Sequence, residues 1–148
     1  MNEEKTPLKI SVTKNLGKVV LDWVRSNCPY VKGIPFAYQF LETGKSLSLH
    51  TMKGAVKRTQ YVDGGYEGFY PFAIYFRNFA DSTNSRLESA ELLDLIGEWV
   101  NDQEIFPDVD NNKYITSISC VTNSVLVKRH EGGIEDYMIT FELLFSQE

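Results

Sequence analysis

The chain has 148 residues, of which 43% are apolar, enough for one domain to bury a core without metal or disulfide staples. Its formal net charge of -5 argues against non-specific nucleic-acid binding, which depends on lysine and arginine contacts to phosphates. The two cysteines, Cys28 and Cys120, are interpreted as free thiols in a reducing compartment, and no four-ligand Cys/His pattern for a structural zinc occurs.

The first predicted element is a helix over residues 7–26. Thr6 and Pro7 have the pattern of an N-cap followed by proline at the first helical position. Gly17 lies inside the helix and costs about 1 kcal/mol relative to alanine, and Pro29 lies just past its end. Apolar residues recur at helical spacing throughout: Leu8, Val12, Leu16, Val19, Val20 and Trp23.

Four strands are predicted next, over residues 36–41, 46–51, 55–62 and 66–79. In the second, Leu47 and Leu49 alternate with Ser48 and His50, which is typical of a half-buried strand.

A hairpin turn joins the third and fourth strands. Asp63, Gly64 and Gly65 favour it, because glycine tolerates the positive φ that such turns require. The return strand from Tyr66 contains Pro71, which cannot donate to a ladder. We therefore expect Pro71 at an edge, a bulge or a local break.

A second helix is predicted over residues 85–101. Ser85 and Glu88 match a capping box, and Leu92, Ile96 and Trp99 form an apolar stripe. Residues 102–112 are predicted to form a loop.

Two more strands are predicted, over residues 114–127 and 137–146. The connection over residues 128–136 contains Gly132 and Gly133, which indicate a hairpin. In the last strand Tyr137, Ile139 and Phe141 begin a strict alternation with polar or smaller residues.

These elements predict one domain over residues 1–148, with no internal repeat and no linker. Hairpins dominate, so most strand pairs are expected to be antiparallel, and two helices with apolar stripes must cover a sheet face. The predicted fold class is α+β: a two-layer sandwich of a mostly antiparallel sheet with two main helices packed on it.

No targeting or membrane segment is predicted. The first residues lack a basic region followed by an apolar run, so no signal peptide is expected. The apolar runs are too short to span a membrane. We therefore expect the chain to fold in a cytoplasm.

His50 and His130 are the only histidines, and either is a candidate general base or metal ligand. The alternative is that both lie on a polar face or in a loop. Neither belongs to a metal-ligand or nucleophile pattern, which favours the structural interpretation. We expect no catalytic residue, no metal and no cofactor.

Two other patterns resemble chemical sites but have simpler explanations. Asp108 and Asp110 resemble the opening of a calcium loop, but its glycine and distal glutamate are missing. The glycines at 64, 65 and 68 lack the strand–loop–helix context of a phosphate-binding loop.

Aromatic residues crowd the predicted third and fourth strands. They suit a core, a protein contact or a base-stacking platform. The fourth strand is apolar on both faces, so it is either central to a core or covered by a partner. The acidic charge balance favours core and protein contact over nucleic acid. The residues are Tyr61, Tyr66, Phe69, Tyr70, Phe72, Tyr75, Phe76 and Phe79.

Three segments between residues 46 and 145 resemble one protein family. They are G-A-V-K-R-T-Q-Y-V-D-G-G-Y-E-G-F-Y-P-F-A-I-Y-F-R, S-T-N-S-R-L-E-S-A-E-L-L-D-L-I-G-E-W and V-L-V-K-R-H-E-G-G-I-E-D-Y-M-I-T-F-E-L-L-F. The family is the minor capsid or tail terminator proteins encoded in head–tail gene clusters of long-tailed phages and prophages of Gram-positive bacteria.

The resemblance implies an α+β fold and a structural role at the head–tail junction of a virion. Tail terminators form hexameric rings on the head-proximal end of the tail tube. The ring stops tube polymerisation and presents a surface to the head-completion protein. The implied partners are therefore further copies of the chain, the tail tube protein and the head-completion protein, with no membrane and no direct nucleic-acid readout.

A ring needs heterologous interfaces that close by rotation, so each protomer must offer two different patches. Two hairpins and two strand arginines are candidates for these patches, and the alternative is exposed turns and solvated strand charges. The candidate residues are Arg58, Asp63, Gly64, Gly65, Tyr66, Arg77, Lys128, Arg129, His130 and Glu131.

Other functions stay open at this point. The nearest alternative is another head–tail connector, such as a head-completion or minor capsid protein. A small hydrolase using His50 or His130 with a carboxylate, and a nucleic-acid-binding module, are the remaining alternatives.

Overall fold

The computed structural model describes residues 12–52, 58–60, 65–109 and 113–147. The helices are α1 (Val12–Asn27) and α2 (Thr83–Asn101), and a 3-10 turn spans Pro29–Val31. The strands are β1 (Phe36–Tyr38), β2 (Ser46–Thr51), β3 (Arg58–Gln60), β4 (Tyr66–Phe79), β5 (Lys113–Cys120), β6 (Val125–His130) and β7 (Ile134–Gln147).

The strands of the described residues form one sheet in the order β1-β2-β4-β7-β5, with β3 beside β4 and β6 beside β7. Every pair is antiparallel except β1 with β2, which is parallel. Helix α1 contacts β1, β2 and β4, and helix α2 contacts β4, β5 and β7. The predicted α+β sandwich, with two helices packed on a mostly antiparallel sheet, is confirmed.

The core lies between the helices and the inner face of β4 and β7. Phe72 stands opposite Phe141, their rings stacked with centroids 5.0 Å apart, and Ile74 stands opposite Ile139. All four are buried. Alternate side chains along β7 therefore face the helices, as the alternation in its sequence predicts. Burying each such side chain contributes about 1.5–3 kcal/mol.

Two helical glycines let the helices approach the sheet closely. A Cβ at Gly17 would lie 2.8 Å from Tyr38 Cε1 and 3.0 Å from the Tyr70 hydroxyl. A Cβ at Gly97 would lie 2.9 Å from Ile139 Cδ1. The low helix propensity of glycine is therefore offset by closer packing at these two positions.

Helix α2 begins earlier than the sequence predicts. Its N-cap is Ser82, whose side chain accepts a hydrogen bond from the Ser85 N–H at 3.1 Å, while the Ser82 N–H donates to Ser85 Oγ at 3.2 Å. The predicted capping box of Ser85 and Glu88 is therefore wrong by one turn. A serine at the third helical position closes the box in place of the usual glutamate.

Two predicted strand boundaries are also wrong. The strand over residues 36–41 ends at Tyr38, because Gln39 takes a φ of 52° and turns the chain. The strand over residues 114–127 is two strands, β5 and β6, separated by residues 121–124. Helix α2 holds this break, since Asp94 Oδ1 accepts the Ser124 N–H at 3.1 Å.

The connection predicted over residues 128–136 is shorter than expected. Strand β6 continues to His130 and β7 begins at Ile134, so the turn contains only residues 131–133. Gly132 and Gly133 have φ values of 82° and 79°, which explains why two glycines occur there.

Pro71 lies inside β4, opposite Glu142 of β7. On the other side of β4 its carbonyl accepts the Met52 N–H at 3.0 Å, just past the last residue of β2. Proline has no N–H with which to return this bond, and the ladder between β2 and β4 ends one residue earlier, at the pair of Thr51 and Phe72. The end of this ladder agrees with the local break expected at Pro71. Several predicted residues lie outside the described part of the chain. They are helix residues 7–11, strand residues 55–57 and 61–62, and turn residues Asp63 and Gly64.

No helix of the described residues is long and apolar enough to cross a membrane.

Candidate interaction surfaces

Arg77 is the centre of an ion cluster on the sheet face away from the helices. Its Nε and Nη2 donate to the two carboxylate oxygens of Asp136 at 2.8 and 2.9 Å, and its Nη1 donates to the Glu42 carbonyl at 3.0 Å. His130 Nε2 lies 2.8 Å from Asp136 Oδ2. Burial opposes ionisation of Asp136, but Arg77 and His130 outweigh it and hold its pKa below the ordinary value.

The neighbouring carboxylate, Glu135, lies on the helix side of the sheet. It accepts hydrogen bonds from Arg86 Nε at 3.1 Å, Arg129 Nε at 2.9 Å and the Tyr137 hydroxyl at 3.1 Å. Burial raises the pKa of Glu135, but these donors outweigh burial and the net shift is downward. Arg129 and His130 therefore both hold β6 to the rest of the fold.

The second candidate hairpin leaves other groups exposed. The side chains of Lys128, in β6, and Glu131, in the turn, are exposed and make no hydrogen bond or ion pair with the described residues. Val125, Leu126 and Val127 are 49%, 37% and 42% exposed. Three consecutive exposed apolar residues on an edge strand are typical of a surface that a partner covers.

The first candidate hairpin is only partly described. Arg58 pairs through its backbone with Gly68, and Gly65 is buried. The Tyr66 hydroxyl donates to Gln147 Oε1 at 2.6 Å, which ties this end of β4 to the end of β7. Tyr66 therefore stabilises the pairing of β4 with β7. Its assignment to an interface stays a prediction.

The two histidines lie in different surroundings. His50 packs on Tyr75 with ring centroids 4.5 Å apart, and burial lowers its pKa, so its imidazole is neutral at pH 7. His130 contacts the carboxylate of Asp136, but Arg77 occupies both oxygens of the same carboxylate. In the part of the chain that the structure describes, no hydroxyl or thiol hydrogen-bonds to His130.

The described residues include few groups that could bind a metal ion or act as a nucleophile. Within the described ranges, no group of three or more histidine, cysteine or acidic side chains is placed to hold a metal ion. Cys28 and Cys120 are free thiols, and burial raises the pKa of both. A buried thiol with a raised pKa is a poor nucleophile.

Comparison with solved structures finds the same architecture in a virion. A protein in the structure described as "Virion of native gene transfer agent (GTA) particle" superposes with a TM-score of 0.68 at 10% identity. The match covers 93% of this chain and 99% of that one. The chain has the fold of a gene transfer agent virion protein. At this identity the likeness concerns the fold alone.

The remaining comparisons add little. A second solved structure matches at 19% identity over 90% of this chain and 91% of its own, with a TM-score of 0.41. So loose a superposition carries no argument. No protein-family model and no curated protein matches the sequence.

Two features were missed by sequence reasoning. The carboxylates Glu135 and Asp136 each organise an ion cluster, and the only local signal is a pair of adjacent acids at the start of an apolar strand. Their partners Arg77 and Arg86 lie 59 and 49 residues away, beyond any local pattern. The second feature is the sign of the charge on each helix, since the exposed residues Glu91 and Glu98 lie on α2 and the exposed residues Lys18 and Arg25 lie on α1.

Proposed function

We propose that this protein is a virion assembly protein of a long-tailed phage or prophage. The observation that carries the proposal is the fold shared with a protein of a phage-like virion over nearly the full length of both chains. The sequence resemblance to minor capsid and tail terminator proteins supports the same role independently. Both lines lead to a structural component of a particle.

Within the virion, the role proposed is that of tail terminator. A ring of copies, six by the family resemblance, would close the head-proximal end of the tail tube, stop its polymerisation and join it to the head. The tail tube protein and the head-completion protein are the proposed partners. The protein is made in the host cytoplasm and acts at the head–tail junction.

The chemistry of the described residues supports a structural role over an enzymatic one. The ion clusters around Glu135 and Asp136 consist of groups that satisfy one another. His50 is packed on Tyr75, and no carboxylate among the described residues hydrogen-bonds to its ring. We therefore propose that the protein is not an enzyme and that its surface acts by contact.

The proposal is tested by deleting the gene from the phage or prophage that encodes it. Electron microscopy of the lysate is expected to find tails of uncontrolled length that are not joined to heads. Expression of the wild-type chain from a plasmid should restore joined particles. Normal-length, head-joined tails in the deletion strain would contradict the proposal.

Antibody labelling separates tail terminator from another connector. Gold particles at the tail end nearest the head are expected on purified tails. Label found only on tailless heads would support a head-completion or minor capsid role instead.

A further inference from the structure

The two helices lie side by side above opposite edges of the sheet. Helix α1 contacts the edge strand β1, whereas helix α2 contacts β5 at the other edge. Trp23 of α1 meets Trp99 of α2 with ring centroids 5.0 Å apart, so these two side chains mark the seam between the helices. Each helix therefore has an outer side that faces away from the other helix.

The outer side of α2 is acidic, and we call it the acidic flank. Leu87, Glu91, Asp94 and Glu98 follow one another at spacings of four, three and four, which places them on one stripe of a helix. Asp94 accepts the Ser124 N–H, so this stripe faces the β5–β6 edge. Glu91 and Glu98 are exposed, and Leu87 is 63% exposed.

The sequence around the acidic flank carries one sign of charge. Residues 87–112 contain no lysine or arginine. Their acids are Glu88, Glu91, Asp94, Glu98, Asp102, Glu104, Asp108 and Asp110. This stretch of the sequence is therefore acidic, and its exposed acids on α2 are Glu88, Glu91 and Glu98.

The outer side of α1 is basic, and we call it the basic flank. Lys18 and Arg25 are exposed there and share the single acid Asp22 between them, at 2.8 and 3.0 Å. Arg25 also donates to the Phe36 carbonyl of β1, so this side of α1 faces the β1 edge. Lys32 is exposed beyond the end of the helix.

Exposed aromatic surface accompanies the basic flank. Tyr38 and Phe40, at the end of β1, are 36% and 60% exposed. Leu87 offers apolar area on the acidic flank. Each flank therefore combines charge with apolar side chains, as protein interfaces do.

We propose that the acidic flank of one copy docks against the basic flank of the next copy. Flanks of opposite charge attract, and pairing a flank with itself would place like charges together. An interface between two different patches is heterologous, and it forms a ring when the rotation between neighbours closes. The inference rests on the ring proposed above and names the surfaces that build it.

Charge reversal tests the interface. The variant Glu91→Lys/Glu98→Lys turns the acidic flank basic, and Lys18→Glu/Lys32→Glu turns the basic flank acidic. Each variant alone is expected to self-associate roughly 100-fold more weakly than wild type, because like charges meet at every contact. Sedimentation velocity and native mass spectrometry in 0.1 M NaCl measure the association.

Mixing the two variants gives the decisive result. In a ring that alternates them, every contact again joins opposite charges, so the equimolar mixture is expected to assemble with 1:1 composition. A pair of variants that remains dissociated when mixed would overturn the proposal. The control variant Glu67→Lys/Glu142→Lys makes the same change in net charge on the other sheet face, and it should assemble like wild type.

Weak association is detected by zero-length crosslinking with a carbodiimide. An equal mixture of ¹⁴N and ¹⁵N wild-type chains is expected to give light–heavy links between Glu91 or Glu98 and Lys18 or Lys32. Their absence at the highest soluble concentration overturns the proposal. Single-reversal variants that assemble normally would also overturn it.

Labelling of virions with antibody is independent of these results. Failure of this interface and failure of the proposed function are therefore distinguishable.

Discussion

Glu135 and Asp136 are neighbours in sequence but serve opposite faces of the sheet. They are 2% and 5% exposed, and each accepts charged hydrogen bonds from arginine. Buried charges persist in proteins when they are paired in this way. Arg77, Arg129 and His130 are candidates for an interface by sequence. The structure places all three in these two clusters, and a contact with another chain through them stays a prediction.

Replacing Asp136 with asparagine is expected to destabilise the fold by about 3 kcal/mol, because Arg77 then remains largely buried without its counter-charge. Urea unfolding at pH 7 measures the effect. The matched control is Asp22→Asn, which breaks the exposed pair with Lys18 and is expected to cost under about 1 kcal/mol. Equal losses in the two variants would contradict the role given to the buried cluster.

The same two carboxylates predict how stability depends on pH. Both have folded-state pKa values below their ordinary values of 4.5 for Glu135 and 3.8 for Asp136. Their contribution is therefore complete above pH 4.5 and is lost as the pH falls through the lowered values. Urea midpoints between pH 7 and pH 2.5 are expected to decline below about pH 4.5. A flatter decline in Asp136→Asn would support the assignment, and an unchanged profile would refute it.

Helix α2 shows how an element boundary depends on one side chain. Both Ser82 and Ser85 are good caps by type, and only the observed hydrogen bonds decide between them. Sequence patterns fix element type more firmly than element ends. The alternation in β7 and the apolar stripe of α2 are strong local signals, and both elements are present. The break between β5 and β6 has no such signal, because Asp94 and Ala90 of α2 hold Ser124 from outside the strand.

Removal of the cap gives a direct test of where α2 begins. The substitution Ser82→Ala is expected to destabilise the protein by about 1 kcal/mol, because the Ser85 N–H loses its acceptor. Thermal unfolding followed by circular dichroism measures the change. The substitution Thr83→Ala, one residue later, is expected to stay within about 0.5 kcal/mol of wild type. A larger loss from Thr83→Ala than from Ser82→Ala would place the cap elsewhere.

At the scale of the whole fold, the described residues form an acidic flank along α2 and a basic flank along α1. Neither composition nor net charge reveals this, because both are sums over the chain. The order of the sheet places the two helices above opposite edges. In the ring proposed above, these two flanks are the complementary surfaces that each protomer must offer.

Salt is expected to weaken association between copies. Raising NaCl from 0.1 M to 1 M shortens the Debye length from about 10 Å to about 3 Å, which screens the attraction between the flanks. Sedimentation velocity across this range should show smaller species at high salt. Association that strengthens with salt would indicate a mainly apolar interface, such as one formed by Val125, Leu126 and Val127.

The sequence by itself determined the class of fold and the type and order of nearly all elements, because alternation, helical spacing and turn glycines are local properties of the chain. It also determined that Gly132 and Gly133 form a turn. Only the tertiary structure decided which charges are paired, since Arg77 and Asp136 meet across 59 residues of sequence. It likewise decided that acids and bases lie on opposite flanks, because the position of each helix above the sheet follows from strand order and not from any local pattern.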